Sequence, residues 1–340
     1  MRLPLACTFL AALALGLGCE NPANDDLPAS PDTALGWDEY VAKERPLREP
    51  YTWQRYYRQG LPDMRRWRPE DFLPAEYLRA EHVRFCELPV NERRALSDVL
   101  SNSLDEEGAT ALRHYAERGV LTAQTTYGAF CRAGGPGFSA DEAVDWARRA
   151  GASGDPDAMT KLGLCLDDYL EGHDVHTKSF LADEILYWHW RGAKYLQRRA
   201  LMAMFIFTGN QFYEYAELGA NDIHAYKWDI LEESIDALHG IRHDPETMSL
   251  TGKAYPYNAG MTPEQIARSR ELARGWLLEN ADSLKDLPLP FNCADDPDAP
   301  YAGGSYDYAL FNETLQVLGL HFDTATRVLE ITGPVATTPP

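Results

Sequence analysis

What this sequence lacks narrows its chemistry first. It contains no Cys-x-x-Cys pair, which disfavours a zinc ribbon or a thioredoxin-like site. Nucleophile elbows, Walker loops, His-Glu-x-x-His helices, dinucleotide fingerprints and EF-hand loops are all absent. Past residue 19 no apolar run approaches the ~18 residues of a membrane span. The densest stretch, residues 201–207 (LMAMFIF), is far shorter and reads as a buried helix. Positive charge is also scarce. The chain has 32 Lys and Arg against 52 Asp and Glu, a net charge of −20. Phosphate binding needs the opposite balance, so nucleic acid is excluded as an expected partner.

Candidate metal ligands are few. His173-Asp174-Val175-His176 places two imidazoles three residues apart in a polar loop, with no third His nearby. Asp295, Asp296 and Asp298 lack the Gly and terminal Glu of a calcium loop. The expectation is no metal, no cofactor and no catalytic residue. Acid pairs such as Glu232-Glu233 would do glycosidase chemistry only if two carboxylates faced one cleft at about 5 to 10 Å.

The N-terminus carries an address. Arg2 precedes an apolar run, Leu3 to Leu17, that ends in Gly16-Leu17-Gly18 before Cys19. This resembles the bacterial lipobox, although Gly16 stands where Leu is commonest and Leu15 sits one place early. The resemblance implies a signal peptide over 1–18 and lipid attachment through the Cys19 thiol. Glu20 after the Cys implies an outer-membrane lipoprotein facing the periplasm. Residues 19–36 are polar and rich in Pro, Asn and Asp, a flexible tether. Beyond Cys19 four cysteines remain, Cys86, Cys131, Cys165 and Cys293. An oxidising compartment permits disulfides, and three complete pairings stay open.

A repeat organises the middle of the chain. Residues 111–128, 146–163 and 188–205 align without gaps. After Gly119 and Gly154, an Ala follows at four (Ala123, Ala158), a large apolar residue at eight (Tyr127, Leu162) and Gly at nine (Gly128, Gly163). The third copy keeps Trp188, Ala193, Ala200 and Met204, with Leu196 and Phe205 in place of the glycines. Such a period belongs to helical-hairpin repeats. The first Gly ends one helix in a left-handed turn, and the Ala and second Gly let the next helix approach its neighbours. Ser139 or Asp141 is placed to cap the helix through Trp146. Near the exit, Ala225-Tyr226-x-Trp228 opens a helix. Thr262 caps another, with Pro263 first and Gln265 completing a capping box.

These features resemble the Sel-one-like repeat family, relatives of tetratricopeptide repeats, over roughly residues 107–282. The resemblance implies an all-α fold: a short right-handed α-solenoid over 107–282. Its flanks are an N-terminal helical segment over 37–106 and a partly irregular extension over 283–340. Within that extension a helix over 306–318 and a strand over 326–331 are expected, with 332–340 disordered. Parallel neighbours in such a stack lie about 8 to 10 Å apart. A disulfide needs Cα atoms within about 7 Å. The spacing therefore speaks against a bridge between Cys131 and Cys165, which occupy nearly equivalent places in successive helices. The family's cysteine-rich members pair cysteines at helix ends, a scheme not carried over here.

On the helix through Ala158, residues 158, 162, 165 and 169 point one way. Thr160, Leu164 and Asp167 point the other. With Thr125, Ala129 and Arg132 of the preceding copy they form the candidate partner-binding face. Residues 43–68 interleave Arg and Lys with Tyr51, Trp53, Tyr56, Tyr57 and Trp67. This strip suits either anionic envelope surfaces or the acidic body of the protein itself. The functional expectation is a membrane-anchored repeat scaffold mediating contacts with an envelope protein. The alternatives are an envelope enzyme acting on cell wall or carbohydrate through acidic residues, and a polyanion-contacting module built on 43–68.

Overall fold

Helix α3 (Glu106–Glu117) starts where its sequence dictates. The Asp105 carboxylate accepts from the Gly108 N–H, and Glu106 and Glu107 sit in the first turn. The computed structural model describes residues 64–101, 105–172, 175–208, 222–242, 261–285, 293 and 306–336, all in the unit Leu35–Pro340. Cys19, the tether, His173, Asp174, most of the 43–68 strip and Asp295 to Asp298 lie outside them.

The described residues are mostly helical. Before α3 come α1 (Ala75–Leu78) and α2 (Val90–Ser101). After it come α4 (Leu121–Tyr127), α5 (Ala140–Ala152), α6 (Pro156–Gly172), α7 (Val175–Lys194) and α8 (Arg198–Thr208). Then follow α9 (Asp222–Leu238), α10 (Pro263–Glu279), α11 (Asp282–Lys285) and α12 (Tyr308–Leu315). Each helix from α2 to α10 packs on the next, and α4, α6 and α8 also touch in turn. One cluster of buried side chains runs through the whole set, from Met64 to Leu329.

The caps read from the sequence are present. Ser139, not Asp141, caps α5 by accepting from the Glu142 N–H, while Asp141 accepts from the Tyr169 hydroxyl at 2.6 Å. Thr262 and Gln265 form a reciprocal capping box with Pro263 at the first turn of α10. Gly119 and Gly154 take φ of +80° and +75° after α3 and α5. Leu196 holds the same place after α7 with φ of +55°, and Gly240 follows α9 with φ of +74°. The third copy therefore keeps the left-handed turn without the glycine. A Cβ there costs about 1–2 kcal/mol. Complete burial of the Leu196 side chain offsets it with about 1.5–3 kcal/mol.

The two glycine turns make a testable pair. A Cβ on Gly154 meets nothing within 4 Å, so Gly154→Ala is expected to cost about 1 kcal/mol from the backbone alone. On Gly119 it would lie 2.7 Å from the Glu81 carbonyl oxygen. That backbone cannot retreat freely, because Val83 N–H donates to Gly119 O and Leu121 N–H donates to Val83 O, both at 2.9 Å. Gly119→Ala should cost clearly more than Gly154→Ala in urea unfolding.

Small residues set the helix spacing. A Cβ on Gly163 would lie 2.9 Å from the His189 ring, and one on Gly192 would lie 2.3 Å from Thr160 Oγ1. Gly128 opens a 3-10 turn (Gly128–Phe130) after α4, and its missing Cβ would lie 3.7 Å from Cys165 Cβ. This turn corrects one expectation. Cys131, directly after it, is disulfide-bonded to Cys165 of α6 with Cα atoms 5.2 Å apart. The spacing argument assumed two continuous parallel helices. The chain instead leaves α geometry at Gly128 and closes on α6. Cys131 also stands at the end of its helical segment, unlike the placement inferred from the sequence. The second bridge joins Cys86 to Cys293.

The C-terminal part also departs from expectation. The helix forms as α12 and a 3-10 turn (Gln316–Leu318). The strand is half of a hairpin, β1 (Leu320–Asp323) paired antiparallel with β2 (Val328–Ile331). A small sheet thus joins the helices. Residues 332–336, read as disordered, are bonded to α10 and to the turn after α12: the N–H groups of Thr332, Gly333 and Ala336 and the carbonyls of Gly333 and Ala336 find partners that the sequence did not reveal.

Candidate functional site

Ion pairs join helices two elements apart. Arg113 of α3 bonds Glu142 of α5, Nε to Oε1 at 3.1 Å. Arg148 of α5 grips Glu184 of α7 with Nε at 3.0 Å and Nη2 at 2.6 Å. Burial pushes the Arg148 guanidinium down, and Glu184 beside it more than restores it, leaving it above its ordinary value. Arg149 bonds Asp145 at 2.9 Å and lies over the Tyr77 ring, tying α1 to α5. Tyr77 in turn donates to Asp145.

The acidic pair Glu232-Glu233 falls on α9. Asp229, Glu232, Glu233 and Asp236 stand at i, i+3, i+4 and i+7, one helical stripe. Arg198 of α8 answers it. Its Nη2 is 2.9 Å from Asp236 Oδ2 and 3.8 Å from Glu232 Oε1. Asp229 is held well above the ordinary carboxylate range by burial, then by the like charges of Glu233 and Glu232.

Lys227 lies on the other side of α9. Its Nζ is 3.5 Å from the Trp228 ring centroid and 4.6 Å from that of Trp276 on α10. The two indoles meet edge to face at 4.8 Å. Burial pushes the Lys227 ammonium down to about 7, and Glu279 acts the other way. The ring faces also favour the cation, by roughly 1–2 kcal/mol. From about pH 7 to the ordinary lysine range, the unfolded chain holds a proton that the folded one has released. The cost of burying the charge is therefore full below pH 7 and relieved as pH rises. Stability should grow by about 1–3 kcal/mol between pH 7 and 9. Lys227→Met should flatten that rise in guanidinium titrations at each pH.

His189 is fully buried against Gly163, and burial pushes it down to about 3. Its Nε2 is 4.0 Å from Asp167 Oδ2. A neutral imidazole at that distance makes no ion pair, so Asp167 and His189 are neighbours only.

The candidate partner face divides. Thr125 and Thr160 are buried, and their hydroxyls donate to Leu121 O at 2.6 Å and Pro156 O at 2.9 Å within their own helices. This corrects the face read from the sequence: α4 and α6 are covered on both sides, so a single wheel with one wet face does not describe them. Ala129 and Arg132 are exposed, and Leu164 and Asp167 are half-buried. Of the 43–68 strip, Met64 is buried and Trp67 packs edge-on against Phe72 and Tyr187, with centroids at 5.5 and 6.3 Å.

Among the described residues, no group of three or more His, Cys, Asp or Glu is placed to hold a metal ion. None of the described helices is long and apolar enough to cross a membrane. Sequence reading missed Lys227 and the Arg113–Glu142 and Arg148–Glu184 ion pairs. The one available signal for the pairs was the separation of opposite charges, 29 and 36 residues, close to the repeat period. Compared with family models, curated proteins and solved structures, the chain matches none of them.

Proposed function

We propose that this chain is an exported repeat scaffold. Its helical hairpins form a short right-handed α-solenoid of the Sel-one-like kind over 107–282, and it contacts another envelope protein. The observation that carries the reading is the recurrence of one unit. Four successive helix pairs turn at Gly119, Gly154, Leu196 and Gly240, each in left-handed backbone. The successive contacts of α4, α6 and α8 support stacking of these units. Two disulfides suit an oxidising compartment, which supports export. Residues 1–18 supply the signal and Cys19 the lipid anchor, with the periplasmic face of the outer membrane as the destination.

The accessible part of the partner face is Ala129, Arg132, Leu164 and Asp167. Crosslinking of the native lipoprotein should recover a partner. The combined variant Ala129→Glu, Arg132→Glu, Asp167→Lys should lose it at least tenfold while keeping the wild-type melting temperature. Unchanged recovery would remove this face from the proposal. Mass spectrometry of the mature N-terminus should find an acylated Cys19, and a chain beginning elsewhere would refute the anchor. The enzyme reading rests on Asp229, Glu232 and Glu233. It would gain support if Asp229→Asn abolished release of soluble sugar from cell wall.

A further inference from the structure

The segment after β2 is held through its backbone. Thr332 and Gly333 N–H groups both donate to Gly319 O, at 2.9 and 3.3 Å, continuing the ladder beyond β2. The Ala336 N–H donates to Val317 O at 2.9 Å. From α10, Arg274 Nη1 donates to Gly333 O at 2.9 Å and Arg270 Nη1 to Ala336 O at 2.8 Å. All five bonds go to the backbone of the segment, so its side chains contribute none of them.

The two sides of this contact differ in rigidity. Arg270 is 1% exposed and is also bonded to Tyr226 of α9. Arg274 stands one helical turn further along the same face of α10. Gly319, in left-handed backbone, leaves room for the segment: a Cβ there would lie 2.3 Å from Gly333 O and 2.7 Å from Pro334 O. The segment itself is only half-buried, with Thr332 and Pro334 exposed. A Cβ on Gly333 would meet nothing within 4 Å. The cleft side is thus buried and sterically close, while the segment in it is peripheral and held through its backbone.

We infer that the cleft between α10 and residues 317–319 is a peptide-binding site, occupied in cis by residues 332–336. Its ligand is an extended segment read through its backbone, with two carbonyls three residues apart for Arg274 and Arg270. Backbone recognition at the end of a strand ladder is the logic of strand addition, and it leaves side chains to set preference. Two guanidiniums at the carbonyls disfavour Lys or Arg at the positions beside them. A partner's segment must supply a carbonyl to Arg270, since a buried guanidinium left without it is costly. The tail acts as a removable cover. This inference rests on the scaffold reading for the nature of the partner, a protein.

The probe is a fluorescent synthetic peptide with the sequence of residues 330–340, followed by anisotropy. A chain ending at Thr332 should bind it at least tenfold more tightly than the full chain. Arg274→Gln in the shortened chain, and proline in place of Ala336 in the peptide, should each weaken binding at least tenfold. If the shortened chain does not fold, Ala336→Pro in the full chain unseats the tail by removing one donor, and should bind the peptide likewise. A folded shortened chain, or a folded Ala336→Pro chain, that binds no better than the wild type overturns the inference. That failure would leave the Ala129 and Arg132 face untouched, so the two proposals fall separately.

Discussion

Replacing Cys86 and Cys293 together by serine is expected to lower stability by several kcal/mol. The bridge spans 207 residues of sequence. Chain-entropy arithmetic for a loop of that length gives about 5 kcal/mol, against about 4 kcal/mol for the 34-residue span of Cys131 to Cys165. The bridges also differ in access. Cys86 is exposed, whereas Cys131 and Cys165 are both fully buried. Attack by a thiolate needs a path to sulfur, so Cys86–Cys293 should reduce first under mild reductant. Alkylation followed by peptide mapping should then show label at 86 and 293 while 131 and 165 remain bonded. Thermal melts of the double-serine chain would test the stability change. Loss of Cys131–Cys165 first, or a melt unchanged by the substitution, would contradict this account of what ties the N-terminal flank to residue 293.

Cutting the Arg148–Glu184 pair is the second large effect expected. Glu184 is fully buried and binds Arg148 through two bonds, while the Arg148 side chain keeps 27% exposure. Glu184→Ala leaves a guanidinium largely enclosed between α5 and α7 with its main partner gone. Such breaks cost about 3–5 kcal/mol, and the water still reaching Arg148 places this one near the lower end. Replacing both partners with apolar residues, Arg148→Met with Glu184→Leu, should recover most of the loss, because neither charge is then buried. Urea midpoints for the single and double variants decide the matter. A double variant as unstable as Glu184→Ala would mean that the pair does more than neutralise itself. Arg113–Glu142, with both side chains about one-third exposed, should give a much smaller change, of order 1 kcal/mol or less.

The local devices of this protein were legible from its residues. Ser139 and Thr262 cap helices because a short polar side chain beside the first turn has an unpaired N–H within reach. Gly119 and Gly154 mark left-handed turns because few other residues adopt them without cost, and Gly163 marks a close helix approach. Each is a statement about a few neighbouring residues, and periodicity repeats it along the chain. What tertiary structure decided lies across repeats. The 3-10 turn at Gly128 brought Cys131 to Cys165, against the spacing of an ideal stack. Leu196 kept a glycine's backbone because its side chain is buried, an energy that appears only after packing. Thr160 is enclosed because α6 is covered on both faces, and a single helical wheel cannot show a second covering layer. The tail found Arg270 and Arg274, 66 and 59 residues away, through its backbone carbonyls. Every sequence carries those carbonyls at every position, so no pattern of side chains could have announced the contact.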